Sequence, residues 1–298
     1  MKYTGLTYRP PYEADSLLLQ VTAGCSHNRC SFCTMYRDVP FEEETLEQIE
    51  TDLKEAQLYV PGITKVFLEN GDPFCLPADR LAEIARLVRR YLPRVDRIAM
   101  YASVKNIRAK TDEELRELRS LGINELNVGV ESGLDEALAL MNKGYTAADA
   151  YYELGRLREA GIDYGANIIL GCAGAGHWRE NAEATARLLN ETKPYLIFTG
   201  TIHAEPGCEL YEDMQSGVFT EPTFGEYLDE EELLFTLLEP MECFIFGLHP
   251  ANVCRMQGWL HLEREKMIET IRRRRKGLEA HLDERPSRHG GEGEAGIR

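Results

Sequence analysis

No apolar run in the chain approaches the ~20 residues that cross a bilayer. The opening residues, Met1-Lys2-Tyr3-Thr4-Gly5, contain no hydrophobic segment of a secretion signal. Positive charge is scarce: 34 Lys and Arg stand against 50 Asp and Glu, a net charge of −16. Broad nucleic-acid surfaces draw affinity from Lys and Arg that neutralise phosphates, so this balance counts against such a partner. The one dense basic run, Arg272-Arg273-Arg274-Arg275-Lys276, reads first as the solvated last turn of a helix, where cations suit the macrodipole. A second Cys-x2-Cys is also missing, which leaves a tetrahedral structural zinc short of ligands. These absences describe a cytoplasmic protein with no membrane partner.

What is present suits a large enzyme domain. With 298 residues, 43% of them hydrophobic, the chain can bury one large α/β barrel, alone or with an extension. Short β-rich runs alternate with helical stretches. Ser16–Thr22, Lys65–Glu69, Arg97–Ala102, Asn124–Val130, Tyr164–Leu170 and Pro194–Thr201 read as strands. Helices are expected over 42–58, 78–91, from Thr111 to Leu121, and over 134–141, 147–160 and 179–191. Leu81, Ile84, Ala85 and Val88 share one helical face, and Thr111 with Glu114 forms a capping box. Strands separated by helices predict right-handed parallel crossovers. The expected fold class is α/β: a partial (β/α)6 TIM-like barrel with a mainly helical C-terminal extension, a doubly wound sheet being the runner-up. Residues 1–203 form the core, 204–283 a cap or extension, and 284–298 a tail too poor in apolar residues to order. Within the extension, 207–216, 226–238 and 259–282 read as helices, and Met241–Gly247 as a short strand.

Three of the eight cysteines are clustered. Strand 1 runs directly into Cys25-x4-Cys30-x2-Cys33, at the strand end where β/α barrels build their active sites. A cysteine-ligated iron–sulfur cluster with only three protein thiolates leaves one iron open, and an open metal position is where a substrate or cofactor binds. His27 is the one residue positioned to act as a fourth zinc ligand, from a strained place between two cysteines. Cys75, Cys172, Cys208, Cys243 and Cys254 are scattered and read as buried small hydrophobes.

The triplet, with Phe32 just before its third cysteine, resembles that of the radical S-adenosylmethionine (radical SAM) superfamily. Further motifs fall in matching order over residues 15–203. Glu69-Asn70-Gly71-Asp72-Pro73 ends strand 2, where the family has a Gly-Gly-Glu-Pro-like turn. Asn127-Val128-Gly129-Val130-Glu131-Ser132-Gly133 ends strand 4, Leu140-Met141-Asn142-Lys143-Gly144-Tyr145-Thr146 follows it, and Asn167-Ile168-Ile169-Leu170-Gly171-Cys172-Ala173-Gly174 ends strand 5. These are similar to the subgroup of the Elongator catalytic subunit, the tRNA methylthiotransferases and the coproporphyrinogen-oxidase relatives. Two departures stand out. The family spacing is x3, not x4, between the first two cysteines. Met35 stands where the coproporphyrinogen oxidase relatives carry a further cysteine.

The resemblance implies a 4Fe–4S cluster on Cys25, Cys30 and Cys33, with S-adenosylmethionine chelated at the open iron and cleaved to methionine and a 5′-deoxyadenosyl radical. It assigns Asn70, Gly71 and Asp72 to the methionine amino group, Glu131 and Ser132 to ribose or other polar groups, and Lys143 to the methionine carboxylate. Ile169 to Gly171 would lie by the adenine, and Phe32 by the cluster or adenine. His203, Glu205, His249 and Asn252 are candidates for substrate contact. A reductant such as flavodoxin or ferredoxin is implied. The lack of room for a cobalamin domain or a C-terminal RNA-binding barrel favours a small or medium-sized substrate. Two other classes stay open: a non-catalytic iron–sulfur carrier, which needs no polar pocket, and a zinc-stabilised binding module.

Overall fold

The computed structural model describes residues 1–286. The expected tail from 284 onward therefore falls mostly outside the described residues.

The strands are β1 (Leu17–Gln20), β2 (Thr22–Ala23), β3 (Glu42–Glu43), β4 (Lys65–Glu69), β5 (Arg97–Ala102), β6 (Ile123–Glu131), β7 (Asp163–Leu170), β8 (Leu196–Thr201), β9 (Phe244–Gly247) and β10 (Met256–Trp259). The helices are α1 (Leu46–Tyr59), α2 (Ala78–Tyr91), α3 (Val104–Arg108), α4 (Asp112–Ser120), α5 (Asp135–Leu140), α6 (Ala147–Ala160), α7 (Trp178–Thr192), α8 (Glu209–Ser216), α9 (Phe224–Leu237) and α10 (Leu260–Gly277). Eight strands form one mainly parallel sheet in the order β1-β4-β5-β6-β7-β8-β9-β10, and β2 pairs with β3 apart from it.

The chain divides into two compact units. The first comprises Met1–Asn28, Met35–Gly129 and Tyr152–Tyr164; the second comprises Arg29–Thr34, Val130–Tyr151 and the described residues from Gly165 onward.

In the first unit β1, β4, β5 and β6 run parallel, with Leu18 beside Phe67, Gln20 beside Glu69 and Tyr101 beside Asn127. Strand neighbours in a parallel sheet point the same way, so each register row is one face. Val66, Leu68, Ile98, Met100, Leu126 and Val128 lie on one face and are fully buried. The helix α2 turns Leu81, Ile84, Ala85 and Val88 inward, all buried, as their spacing predicts. Burying each large aliphatic among them contributes about 1.5–3 kcal/mol. The Thr111–Glu114 box caps α4, and an unexpected box of Ser103 and Asn106 caps the short α3.

In the second unit β8 pairs parallel with β7 and with β9, while β10 returns antiparallel to β9. The alternation legible in sequence stops after residue 203, but the sheet does not. Residues 204–243 carry α8 and α9 before the chain rejoins the sheet at Phe244. The basic run of α10 lies against α9: Arg272 pairs with Glu232 at 2.7 Å, Arg275 with Asp229, and Arg274 donates to the Val253 carbonyl at 2.9 Å. The run does close the helix, with Arg274, Arg275 and Lys276 in its last turn, but Arg272 and Arg275 pair with α9 instead of standing solvated.

Candidate functional site

The first unit holds Cys25 and the strand-2 turn. Asp72 does not stand free. Its carboxylate accepts from the Ser26 amide at 2.8 Å, from the Ser26 hydroxyl at 2.6 Å and from Asn106 Nδ2 at 3.4 Å. It therefore clamps the residue that follows Cys25. Gly71 is required sterically. Its φ is +47°, and a Cβ there would lie 2.0 Å from the Gly24 carbonyl oxygen and 2.8 Å from Cys25 Cα. Only glycine lets the turn press this closely on the root of the cysteine loop. The Asn70 side-chain amide is fully buried, and neither its Nδ2 nor its Oδ1 has a partner among the described residues, whereas the backbone N–H and carbonyl of Asn70 both bond to Thr22. That carbonyl accepts from the Thr22 hydroxyl at 2.9 Å. A buried amide with no partner is costly unless something arrives to satisfy it. His27 Nδ1 lies 3.3 Å from Lys105 Nζ, a poor neighbour for a zinc ligand.

The second unit holds Cys30, Phe32 and Cys33. The segment carrying them is fixed by backbone. Ser31 donates to the Met141 carbonyl from its amide at 3.2 Å and to the Leu140 carbonyl from its hydroxyl at 2.8 Å. Asn142 Nδ2 donates to the Arg29 carbonyl at 2.8 Å, and the Leu210 amide to the Ser31 carbonyl at 2.9 Å. The Leu140-Met141-Asn142-Lys143 motif thus supports the cysteine segment directly. Lys143 and Glu131 form a buried ion pair at 2.8 Å, and Lys143 Nζ lies 4.0 Å from Cys30 Sγ and 5.9 Å from the centre of the Phe32 ring. Burial pulls the Lys143 pKa down. Glu131, with Tyr145 and Cys30, more than offsets this and holds it well above the usual lysine value. Lys143 is thus a fixed cation beside the Cys30 sulfur.

The other predicted residues divide sharply. Ser132 is buried, donates to Asn181 and accepts the Leu134 amide at 2.9 Å. Gly171, at φ +79°, gives its amide to Glu230 Oε2 at 3.0 Å and packs on Tyr227, which a Cβ would meet at 2.2 Å. Ile169 is half-buried on β7. Asn252 spends its amide on the fold: Nδ2 donates to the Thr199 and Gly247 carbonyls at 2.8 and 3.1 Å, and Oδ1 accepts from the Thr201 hydroxyl at 3.2 Å. His249 is exposed and accepts the Ala251 amide at 3.2 Å. His203 and Glu205, both exposed, lie 3.5 Å apart, and Glu205 accepts from Thr34, the residue after Cys33, at 3.1 Å.

Sequence reading passed over Ser26, Asn106, Asn181 and Glu230. The Ser103-x-x-Asn106 capping box gave a signal for the second of these. Glu230 gave none. It sits in Asp229-Glu230-Glu231-Glu232, which reads as a solvated acidic face, yet Glu230 and Glu231 are buried.

The donor set fits a cluster better than a single ion. Cys25, Cys30 and Cys33 are half-buried, and so is Cys75, against the expectation that it is buried; Cys172, Cys208, Cys243 and Cys254 are buried. Burial pushes the Cys75, Cys243 and Cys254 thiols up to about 12, where they are inert. Among the described residues no three His, Cys, Asp or Glu side chains converge on one metal ion. Thiolates of a cubane bind separate irons and need no such convergence.

A family model described as the radical SAM superfamily matches residues 19–189. The heme chaperone HemW of Bacillus subtilis (strain 168) is 23% identical over 238 residues, covering 77% of this chain and 60% of its own length. A tRNA-2-methylthio-N(6)-dimethylallyladenosine synthase of Actinobacillus pleuropneumoniae is 27% identical over 212 residues, covering 66% of this chain and 42% of its own. The chain thus spans roughly half the length of these relatives. Among solved structures, methylornithine synthase (PylB) superposes with a TM-score of 0.55 at 17% identity, covering 86% of this chain and 68% of its own. The radical SAM methyltransferase TsrM of Kitasatospora setae gives 0.55 at 20%, covering 71% and 41%. At these identities the likeness shows the fold, the partial α/β barrel class expected from sequence.

Proposed function

The chain belongs to the radical SAM superfamily, and on that footing we propose that it is an enzyme whose Cys25, Cys30 and Cys33 hold a 4Fe–4S cluster for the reductive cleavage of S-adenosylmethionine. When bound, the cluster supplies an electron to the sulfonium C–S bond and an open iron for the methionine amino and carboxylate groups.

This chain's own residues do the rest. Asp72 fixes Ser26, and with it the path of the chain leaving Cys25. Gly71 permits the turn to approach without a clash, so its carbonyls and the buried Asn70 amide can receive the methionine ammonium. Lys143 offsets the negative charge gathered on Cys30 and the methionine carboxylate. Glu131 fixes its position and takes one of its three N–H donors. Gly171, held from behind by Glu230, gives the adenine a rigid backbone edge. Phe32 shields the Cys30–Cys33 segment from water. Glu205, tethered to Thr34, and its neighbour His203 are better placed for substrate than Asn252, whose polar atoms are engaged in the sheet. Electrons come from a small donor of the flavodoxin or ferredoxin type, and the substrate is small or medium-sized.

The single observation that carries the reading is the pairing of three half-buried thiols on one short loop with a buried lysine 4.0 Å from one of them. A carrier or a zinc module has no use for that lysine or for the unpaired side-chain amide of Asn70. The test is anaerobic reconstitution with iron and sulfide, followed by electron paramagnetic resonance of the reduced protein. About four irons per chain and a cluster signal that changes on adding S-adenosylmethionine support the proposal. A signal indifferent to S-adenosylmethionine favours the carrier, and a colourless protein with one zinc favours the module.

A further inference from the structure

One register row of the first unit is polar where a core row is apolar. Gln20 on β1, Glu69 on β4, and Tyr101 with Asn127 on β5 and β6 project from the same face. The edge-on contact of Phe67 with Tyr101, rings 5.2 Å apart, places Tyr101 on the face that carries Phe67, and strand alternation puts Glu69 there too. Glu69 is fully buried, and neither carboxyl oxygen has a partner among the described residues. Asn127 is equally buried. Its Oδ1 accepts from the Tyr12 hydroxyl, and its Nδ2 donates to nothing among the described residues. Two open acceptors and one open donor thus line the same strip.

A buried carboxyl without a partner costs far more than a paired one. The fold offers it nothing: the nearest cationic influence is Arg9, which is exposed. Such a group persists where something else satisfies it. Its complement is a nitrogen carrying several N–H donors and a positive charge, with an oxygen acceptor reaching Asn127 two strands away. The chain flanking the row is light. Residues 2–7 are exposed, and Thr4 exchanges hydrogen bonds with the Gln20 amide at 2.6 and 3.2 Å.

We propose that Glu69, with Asn127, forms the subsite for an organic ammonium group, so that the substrate is a primary amine that also bears an oxygen acceptor. This rests on reading the chain as an enzyme with a small substrate, and it names the class of that substrate. Glu69 is a binding residue that the motif resemblance does not assign.

The test is the melting temperature of the full chain with n-butylammonium, n-butanol or butyrate at matched ionic strength, for wild type, Glu69→Gln and Glu69→Leu. The acidic surface attracts any amine, and Glu69→Gln, which keeps shape and loses one charge, subtracts that effect. The expected result is an upward shift of wild type by the ammonium alone, absent in both variants, with the ligand-free variants melting no lower than wild type. Equal ammonium shifts in all three proteins would overturn the proposal. So would a fall in both ligand-free variants with no ammonium effect in wild type, since Glu69 would then serve the fold. The measurement uses neither cluster nor S-adenosylmethionine. An ammonium shift in a protein that cleaves no S-adenosylmethionine would remove the reaction and leave the subsite; the converse would remove the subsite alone.

Discussion

At the scale of single residues, the account turns on Gly71 and the Lys143–Glu131 pair. Gly71→Ala forces a Cβ to within 2.0 Å of a backbone oxygen, which no side-chain rotation relieves. The expected outcome is a folded protein with sharply reduced iron after reconstitution, read by iron analysis beside circular dichroism. Lys143→Met leaves Glu131 as a buried carboxylate without its cation. Breaking such a pair costs about 3–5 kcal/mol. Denaturant unfolding should show that loss, and the double variant Lys143→Met/Glu131→Gln should recover much of it. If the single variant loses less than ~1 kcal/mol, the pair is not buried as described. The motif residues Asp72 and Lys143 were singled out through the family resemblance. Their partners Ser26 and Glu131 lie 46 and 12 residues away in the chain, and the bonds joining them were not readable. Hydrogen-bond partners are set by tertiary approach, which a one-dimensional pattern does not carry.

At the scale of elements, α9 shows where composition misleads. Its run of acids is partly turned inward: burial raises Glu230 to about 8, against bonds from Asn181 and Gly171 that pull it down, and burial also raises Glu231 well above the usual carboxylate value. An acid protonated in the fold but ionised when unfolded stabilises most below its unfolded value of 4.5 and loses that contribution as pH rises toward its folded value. Stability should therefore fall between pH 5 and pH 8, by about 1.4 kcal/mol per unit for each such group at most. Glu230→Gln should flatten part of that slope, as followed by urea unfolding across pH; an unchanged slope would refute the assignment. The start of α4 was legible in sequence, whereas that of α9 was not, its helix being read from residue 226 rather than 224. Thr111-x-x-Glu114 and Thr223-x-x-Glu226 are both capping boxes in the structure. Thr223→Ala should cost about 0.5–2 kcal/mol. The strand β10 was missed because four residues containing Gly258 carry no strand signal of their own; they pair only because β9 presents an edge.

At the scale of the whole molecule, parallel β/α alternation made the fold class legible over the first two thirds of the chain, because buried parallel strands write apolar runs into sequence. The return to the sheet at β9 was not legible, since forty irregular and helical residues precede it and its pairing is long-range. The candidate site follows the same division. The cysteines announce themselves, whereas Glu69 looks like an ordinary strand-end acid until the structure shows it buried and unpaired. The central claim is that this chain uses its three clustered cysteines to break S-adenosylmethionine. The most direct measurement is 5′-deoxyadenosine formed by the anaerobically reconstituted, reduced protein, with the Cys25→Ala/Cys30→Ala/Cys33→Ala variant treated alongside. The account predicts 5′-deoxyadenosine from wild type and none from the variant. A wild-type protein that fills with iron and sulfide yet yields no 5′-deoxyadenosine with several reductants would contradict it.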